Sequence, residues 1–178
     1  MKKAIKIAVV GPESTGKTEL SKQLAEQYQT EWVPEVARTY LENLSRQYDY
    51  DDLGKIALQQ VEAEEKLSKQ TGELLICDTN LIVIKVWSDF KFGKTEPWII
   101  EKIREQDYLI HLLMDIDMPW EYDPLREHPH KRKELFEIYV SELESFGIPY
   151  QIISGIGKRR LENAVRVIDE VLLNQIQR

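Results

Sequence analysis

The sequence predicts an α/β fold in which a parallel five-stranded sheet carries helices on both faces. Short apolar runs alternate with long amphipathic segments along the chain, as in strand–helix–strand units with right-handed crossovers. The apolar runs are continuous, which indicates strands buried on both faces. A chain of 178 residues corresponds to one domain, and it can bury about 70% of its unfolded surface without disulfides or a structural metal.

Five strands and seven helices follow in chain order from these patterns. We predict strands at residues 5–10, 31–33, 74–77, 108–114 and 150–153, of which the second is weak. We predict helices at residues 17–28, 36–47, 52–71, 81–90, 96–105, 131–146 and 158–177. Asn80 is a typical cap for the fourth helix, and Gly147 with Pro149 ends the sixth. In the seventh helix, apolar residues recur at steps of three and four, which defines one buried face.

Composition and charge exclude several classes of protein. The chain has 24 Lys and Arg against 31 Asp and Glu, a net charge of −7, which argues against a nucleic-acid partner. Cys77 is the single cysteine, so no internal disulfide can form and a reducing compartment is expected. No apolar run approaches the roughly 18 residues of a membrane span, and residues 1–10 do not form a signal peptide. We therefore expect a cytoplasmic protein without a membrane partner; a homo-oligomer is left open.

A phosphate-binding loop follows the first predicted strand. The pattern G-x-x-x-x-G-K-T is that of a P-loop, in which backbone N–H groups surround phosphate oxygens. The lysine adds a cation for the β and γ phosphates, and the last hydroxyl can hold Mg²⁺. The pattern predicts a three-layer P-loop NTPase fold with ATP and Mg²⁺ as cofactors. The nucleotide-binding residues are Gly11, Pro12, Glu13, Ser14, Thr15, Gly16, Lys17 and Thr18.

A P-loop protein also needs an acidic residue at the end of another strand to hold Mg²⁺. Asp78 follows the strand at 74–77, and Asp115 follows the strand at 108–114. We favour Asp78, because it closes a short apolar strand directly before a helix cap. Thr18 and Asp78 are thus the predicted metal ligands.

Length and motifs favour a small-molecule kinase over other P-loop classes. A GTPase would carry an N-K-x-D tetrapeptide, which the sequence lacks, and a motor or AAA+ ATPase is normally longer. We predict a single P-loop kinase domain over residues 1–178, similar to nucleoside and nucleotide kinases. Residues 117–132, the lid segment, contain three prolines between a strand and a helix. There Arg126 and Arg132 are candidates to reach the transferred phosphate.

The site for the phosphoryl acceptor is expected beside the second strand. Glu35 lies at a helix start and Arg38 one turn later. A kinase needs a carboxylate near the attacking hydroxyl, and Glu35 and Asp78 both remain candidates for this base. Trp120 of the lid segment is expected to touch a ligand. The predicted catalytic residues are Lys17, Glu35, Asp78 and Arg126.

The ordered set of motifs resembles the ribosylnicotinamide kinase domain of bacterial NadR proteins. The shared pieces are residues 11–18, 33–40, 78–80, 117–120 with 123–126, and Gly155 with Arg159 and Arg160. The resemblance implies ATP-dependent phosphorylation of nicotinamide riboside to nicotinamide mononucleotide. It implies that residues 154–160 flank the adenine. It also adds Tyr40 and Asp123 to the substrate-binding residues Glu35, Arg38, Asp78 and Trp120.

Departures from the family pattern leave the acceptor open. The chain carries neither the adenylyltransferase nor the helix-turn-helix domain of full NadR, so we expect a stand-alone kinase domain. Asn80 replaces a frequent second acidic residue, and Pro124 replaces a frequent glycine. The alternatives are a kinase of another nucleoside or small hydroxylated acceptor, and an ATP-binding regulatory ATPase with a protein partner.

The positive charge is concentrated where ATP is expected. Residues 126–133 hold four basic side chains and one acidic one, and residues 158–160 are all basic. The net charge of the whole chain therefore argues against nucleic acid as a partner, but not against a small phosphate compound.

Overall fold

The computed structural model describes residues 4–177, apart from the side chain of Ile176. Residues 1–3, which entered the argument against a signal peptide, lie outside this range. The strands are β1 (Ile5–Val10), β2 (Trp32–Val33), β3 (Leu74–Asp78), β4 (Tyr108–Met114) and β5 (Tyr150–Ile153). The helices are α1 (Lys17–Gln27), α2 (Val36–Glu42), α3 (Tyr50–Gln70), α4 (Leu81–Phe92), α5 (Pro97–Glu105), α6 (Arg132–Ser145) and α7 (Lys158–Ile176).

The five strands form one parallel sheet in the order β2-β3-β1-β4-β5. The strand that precedes the P-loop, β1, is central, and its neighbours β3 and β4 lie in register beside its last residues. Val9 pairs with Asp78, and Val10 pairs with Leu113. The carboxyl ends of three strands therefore meet at one edge of the sheet, where ligands bind in open parallel sheets. The predicted fold class is confirmed.

Alternate residues of β1 pack against different helical layers. Ile7 and Val9 are fully buried in a cluster with residues of α1 and α7. Ala8 and Val10 are fully buried in a second cluster, formed with residues of α3, α4, α5 and α6. Each large aliphatic side chain buried in this way contributes about 1.5–3 kcal/mol. Burial on both faces explains the continuous apolar strands of the sequence and gives three layers.

Most helix boundaries lie within one or two residues of those predicted, and the region between α2 and α3 shows the largest difference. The second helix ends at Glu42 instead of residue 47, and α3 begins at Tyr50 instead of residue 52. Asp49 caps α3, because its carboxylate accepts a hydrogen bond from the N–H of Asp52 at 3.2 Å. The carboxylate of Asp52 in turn accepts from the N–H of Asp49 at 2.9 Å. This reciprocal cap fixes the start of the helix.

Among the described residues, no helix is both long enough and apolar enough to cross a membrane.

Candidate active site

The P-loop connects β1 to α1 and curls through backbone angles that suit glycine. Gly11 has φ of 138° and Gly16 has φ of 77°. A Cβ at Gly11 would come within 3.2 Å of Met114 at the end of β4, and a Cβ at Gly16 within 3.2 Å of the Met118 sulfur. Both glycines are therefore required by conformation and by close approach. The Thr15 hydroxyl donates to the Pro12 carbonyl at 2.8 Å and closes the loop.

The ammonium group of Lys17 lies inside the loop. It donates to the carbonyls of Gly11 at 3.0 Å and Pro12 at 2.8 Å. Burial lowers the pKa of Lys17, while the carboxylates of Glu35, Asp78 and Glu13 act in the opposite direction. A desolvated cation bound to two carbonyls of the loop is suited to receive phosphate oxygens.

Thr18 and Asp78 form a pair that fits a magnesium ion. The Thr18 hydroxyl donates to Asp78 Oδ2 at 2.6 Å. The other carboxylate oxygen, Oδ1, is buried and has no hydrogen-bond partner among residues 4–177. Hydroxyl and carboxylate oxygens are ligands that Mg²⁺ prefers. The rival carboxylate, Asp115, instead accepts from Ser154 at 2.7 Å beside β5.

Burial raises the pKa of Asp78 to about 6, and the charge of Glu35 contributes in the same direction. The Thr18 hydroxyl and Lys17 oppose the shift only in part. Asp78 is thus a carboxyl group whose ionised form lacks sufficient stabilising partners in the protein alone. A cation at this position would supply the missing stabilisation.

We expect Asp78→Asn to raise the melting temperature at pH 7.5 and to change it little at pH 4. The folded pKa of about 6 exceeds the ordinary value of 3.8. Stability from the protonated carboxyl is therefore complete below pH 4 and is lost as the pH rises through 6. The loss corresponds to about 3 kcal/mol. Thermal denaturation without nucleotide or metal measures it, and an equal effect at both pH values would contradict the assignment.

A cavity of about 530 Å³ opens at the carboxyl edge of the sheet. Its walls come from the P-loop, α2, α4, α6 and the lid segment. Of the predicted site residues, all eight P-loop residues, Glu35, Arg38 and Arg126 line it. Residues predicted to bind ATP and residues predicted to bind the phosphoryl acceptor therefore line the same cavity. Asp78 is buried behind the cavity wall, where it contacts Thr18.

Glu35 and Arg38 differ in how they are held. Glu35 precedes the first residue of α2 and makes no capping hydrogen bond with its side chain. Arg38 donates to the Asp123 carboxylate at 3.0 Å and so connects α2 to the lid segment. The hydrogen bond from the Leu125 N–H lowers the pKa of Asp123 most strongly, and Arg38 lowers it further.

The lid segment lies on the P-loop through two arginines. Arg126 donates to the Ser14 hydroxyl at 3.3 Å and to the Glu121 carbonyl at 2.5 Å. Arg132 donates to the carbonyls of Ser14 at 3.1 Å and Met118 at 2.8 Å. The Trp120 ring lies about 6.0 Å from the Arg126 guanidinium. These contacts place the segment over the loop.

Several predicted residues lie outside the cavity wall. The Tyr40 hydroxyl donates to the buried Asp52 at 2.8 Å. Trp120, Asp123 and Arg132 are not among the residues that line the cavity. Asp123 instead accepts from Arg38 of α2, and Arg132 donates to Ser14 and Met118 and lies 5.9 Å from the Trp120 ring. Their roles in binding stay predictions.

The two arginines at the start of α7 have different surroundings. Arg159 is exposed, whereas Arg160 is only 4% exposed. The Arg160 guanidinium donates to the Thr15 carbonyl and to Asp117, and it donates to the Gly155 carbonyl at 2.5 Å. Gly155 in turn donates its N–H to Asp117 at 2.5 Å. Arg160 therefore braces the P-loop from outside the cavity.

The expected concentration of positive charge is partly neutralised by neighbouring acids. Lys131 lies 2.7 Å from Glu134, and Lys158 lies 3.6 Å from Glu162. Of the lysines and arginines in these two stretches, Arg126 lines the cavity.

Sequence reasoning missed the apolar wall of the cavity. It is formed by Val83, Val86, Trp87, Phe90, Leu135 and Tyr139. Burial raises the pKa of Tyr139, and the charges of Glu35 and Glu13 add to the shift. The spacing of 83, 86, 87 and 90 is that of one helix face, but α4 is apolar on several sides. The sequence therefore did not reveal which face meets the cavity.

A protein family described as AAA domain matches residues 6–160. The chain belongs to this family. The match spans the P-loop, Asp78, the lid segment and Arg160, so it covers the whole candidate site of this AAA-domain protein.

Sequence similarity connects the protein to NadR. It is 28% identical over 153 residues to the trifunctional NAD biosynthesis/regulator protein NadR of Escherichia coli strain K12. The alignment covers 81% of this chain and 37% of that protein. The chain thus spans just over a third of the length of this relative, and the predicted resemblance to NadR is confirmed.

Solved structures share the fold. A NadR structure in complex with NR superimposes with a TM-score of 0.83 at 23% identity, over 94% of this chain and 50% of that one. A NadR structure with NAD and AMP-PNP gives 0.79 at 24% identity, covering 94% and 49%. Thymidylate kinase from Ehrlichia chaffeensis gives 0.64 at 13% identity, covering 96% and 100%. The AAA-domain protein therefore has the fold of P-loop nucleoside and nucleotide kinases.

Proposed function

We propose that the protein is an ATP- and Mg²⁺-dependent kinase that phosphorylates nicotinamide riboside to nicotinamide mononucleotide. One observation carries the proposal: the P-loop, the Thr18–Asp78 pair and Glu35 face or adjoin a single cavity of about 530 Å³. Resemblance to NadR, whose structure has been solved with NR, favours the riboside as acceptor. The proposed reaction transfers the γ-phosphoryl group of ATP to a riboside hydroxyl and releases ADP and a proton.

The donor end of the site consists of the P-loop and the lid segment. Backbone N–H groups of the loop and the amino end of α1 attract the phosphates. Lys17 adds a positive charge, for which it must exchange its bonds to the Gly11 and Pro12 carbonyls for phosphate oxygens. Thr18 and Asp78 would hold Mg²⁺, which when bound neutralises charge on the β and γ phosphates.

The acceptor end combines an apolar wall with the charged side chains of Glu35 and Arg38. The face of α4 that carries Val83, Val86, Trp87 and Phe90 suits a flat ring of a nucleoside. Glu35 lines the same cavity, and its side chain makes no hydrogen bond with another residue that the structure describes. The carboxylate is thus available to a substrate hydroxyl.

We assign Glu35 the role of base and Asp78 that of metal ligand. Asp78 is fully buried and already accepts from Thr18, so an acceptor hydroxyl cannot easily reach it. Glu35 can accept a hydrogen bond from the hydroxyl as that group attacks the γ phosphate. Arg38, one turn further along α2, can orient the acceptor or the phosphates.

We expect Arg126→Ala to lower kcat by about tenfold to a hundredfold while the KM for the riboside changes less than about threefold. The reason is that Arg126 reaches the P-loop at Ser14, where negative charge develops on the transferred phosphoryl group. Steady-state kinetics measures both constants, with Arg166→Ala as the control because Arg166 is exposed on α7. A change in riboside affinity alone would remove Arg126 from this role.

The deciding experiment incubates the protein with MgATP and a panel of nucleosides and other small hydroxylated compounds. Mass spectrometry then detects any phosphorylated product. Phosphorylated nicotinamide riboside as the main product supports the proposal. Another preferred acceptor favours the second kinase hypothesis. ATP hydrolysis without transfer to any compound favours the regulatory ATPase and contradicts the proposal.

A further inference from the structure

Glu13 has partners that set it apart from the rest of the P-loop. Its carboxylate accepts from the backbone N–H of Glu127, at 3.2 Å from each oxygen, and from the backbone N–H of His128 at 3.0 Å. Both donors lie in the lid segment, more than a hundred residues away along the chain. A single P-loop side chain therefore binds two consecutive backbone N–H groups of the lid segment.

A phosphate contact is an unsuitable role for this side chain. A carboxylate and a phosphate are both anionic acceptors, so direct contact between them is repulsive. Charge-assisted hydrogen bonds to neutral N–H groups are favourable, and they are about twice as strong as neutral ones. The chemistry of the group thus fits the lid segment and does not fit the nucleotide.

The same lid residues are held from a second side. The Glu127 carboxylate accepts from the Tyr48 hydroxyl at 2.5 Å and from the Lys91 ammonium at 2.7 Å. Lys91 is on α4, and Tyr48 lies before α3. Residue 127 is thus fixed through its side chain by the helical layer and through its backbone by Glu13.

Arg126 is next to this fixed point. Its guanidinium donates to Ser14, the residue that follows Glu13, and the N–H of Glu121 donates to the same Ser14 hydroxyl at 2.9 Å. Two neighbouring P-loop residues therefore bind neighbouring lid residues: Ser14 binds Arg126, and Glu13 binds the backbone of residues 127 and 128. Releasing the backbone at 127 and 128 would free the neighbouring Arg126 to move away from the phosphate site.

We propose that Glu13 is a positioning residue that latches the lid segment to the P-loop and so keeps Arg126 over the transferred phosphate. The role of Arg126 in this statement rests on the proposed kinase function. The latch itself rests only on the contacts between Glu13 and residues 127 and 128.

Hydrogen–deuterium exchange of the protein without ligands tests the latch in Glu13→Gln. The glutamine keeps one acceptor oxygen but loses the charge and the second oxygen. We expect exchange of the backbone amides of Glu127 and His128 to accelerate at least about fivefold. Glu26→Gln, which makes the same change of charge at an exposed position of α1, should leave both amides unchanged. Unchanged exchange in Glu13→Gln would overturn the latch.

Kinetics of the same variants test the positioning of Arg126. We expect Glu13→Gln to lower kcat about tenfold, to change the KM for ATP less than about twofold, and to increase ATP hydrolysis relative to transfer. The increase follows because a released lid admits water to the site. Faster exchange with unchanged kcat would overturn the positioning role. Absence of any transfer by the unmodified protein would contradict the proposed function, while exchange would still decide the latch.

Discussion

Lys17→Ala is expected to reduce phosphoryl transfer by about a thousandfold or more while the protein remains folded. The ammonium group lies in the P-loop against two carbonyls, in a position to contact the phosphates. Removing one preorganised charge from a transition state costs about a hundredfold to a thousandfold, and weaker ATP binding adds to this. Single-turnover kinetics at saturating ATP measures the chemical step.

The fold should tolerate this substitution. Lys17 bonds only to carbonyls of its own loop among the described residues, and burial lowers its pKa, so the buried charge costs the protein stability. The melting temperature should therefore change by no more than a few degrees. Lys66→Ala, at an exposed position of α3, is the matched control. Turnover in Lys17→Ala equal to that of the control would refute the P-loop assignment.

The parts that sequence predicts well here are those with local causes. The strand before the P-loop is a continuous apolar run, because Ile7 and Val9 pack on one layer and Ala8 and Val10 on the other. The P-loop pattern is equally local, because its glycines satisfy backbone angles within eight residues. Asp78 was predicted from its place at a strand end, and its contact with Thr18 follows from parallel pairing.

The parts that sequence missed depend on which distant segments meet. The apolar pattern revealed neither that α2 ends at Glu42 nor that the cap at Asp49 sets the start of α3. The hydrogen bond from Tyr40 to Asp52 could not be predicted, because no local pattern reveals that Asp52 is buried; the role of Tyr40 in substrate binding stays a prediction. The sequence also did not reveal the partners of Arg160, which are Thr15 of the P-loop and Asp117 of the lid segment; its expected place beside the adenine stays a prediction. Spacing along the chain does not show which distant segments come into contact.

Glu35→Gln and Asp78→Asn are expected to impair catalysis in different ways. Glu35→Gln should lower kcat about a hundredfold or more, because general-base groups contribute about a hundredfold to ten-thousandfold. Its dependence on Mg²⁺ concentration should not change. Asp78→Asn should raise the Mg²⁺ concentration needed for half-maximal rate, because a neutral amide replaces the carboxylate, whose buried Oδ1 has no hydrogen-bond partner among the described residues and would be free to bind the ion. Rates measured across a Mg²⁺ titration separate the two effects.

Neither Glu35→Gln nor Asp78→Asn is expected to unfold the protein. Glu35 makes no capping hydrogen bond to α2, so glutamine leaves the helix start intact, and Asp78→Asn is expected to stabilise the folded protein near neutral pH. A loss of rate in either variant therefore does not reflect unfolding, which melting curves verify. Glu62→Gln, at an exposed position of α3, controls for the change of charge. If Glu35→Gln retained kcat while Asp78→Asn lost it with unchanged Mg²⁺ dependence, the roles would be reversed: Asp78 would act on the hydroxyl, and Glu35 would only contribute charge at the start of α2.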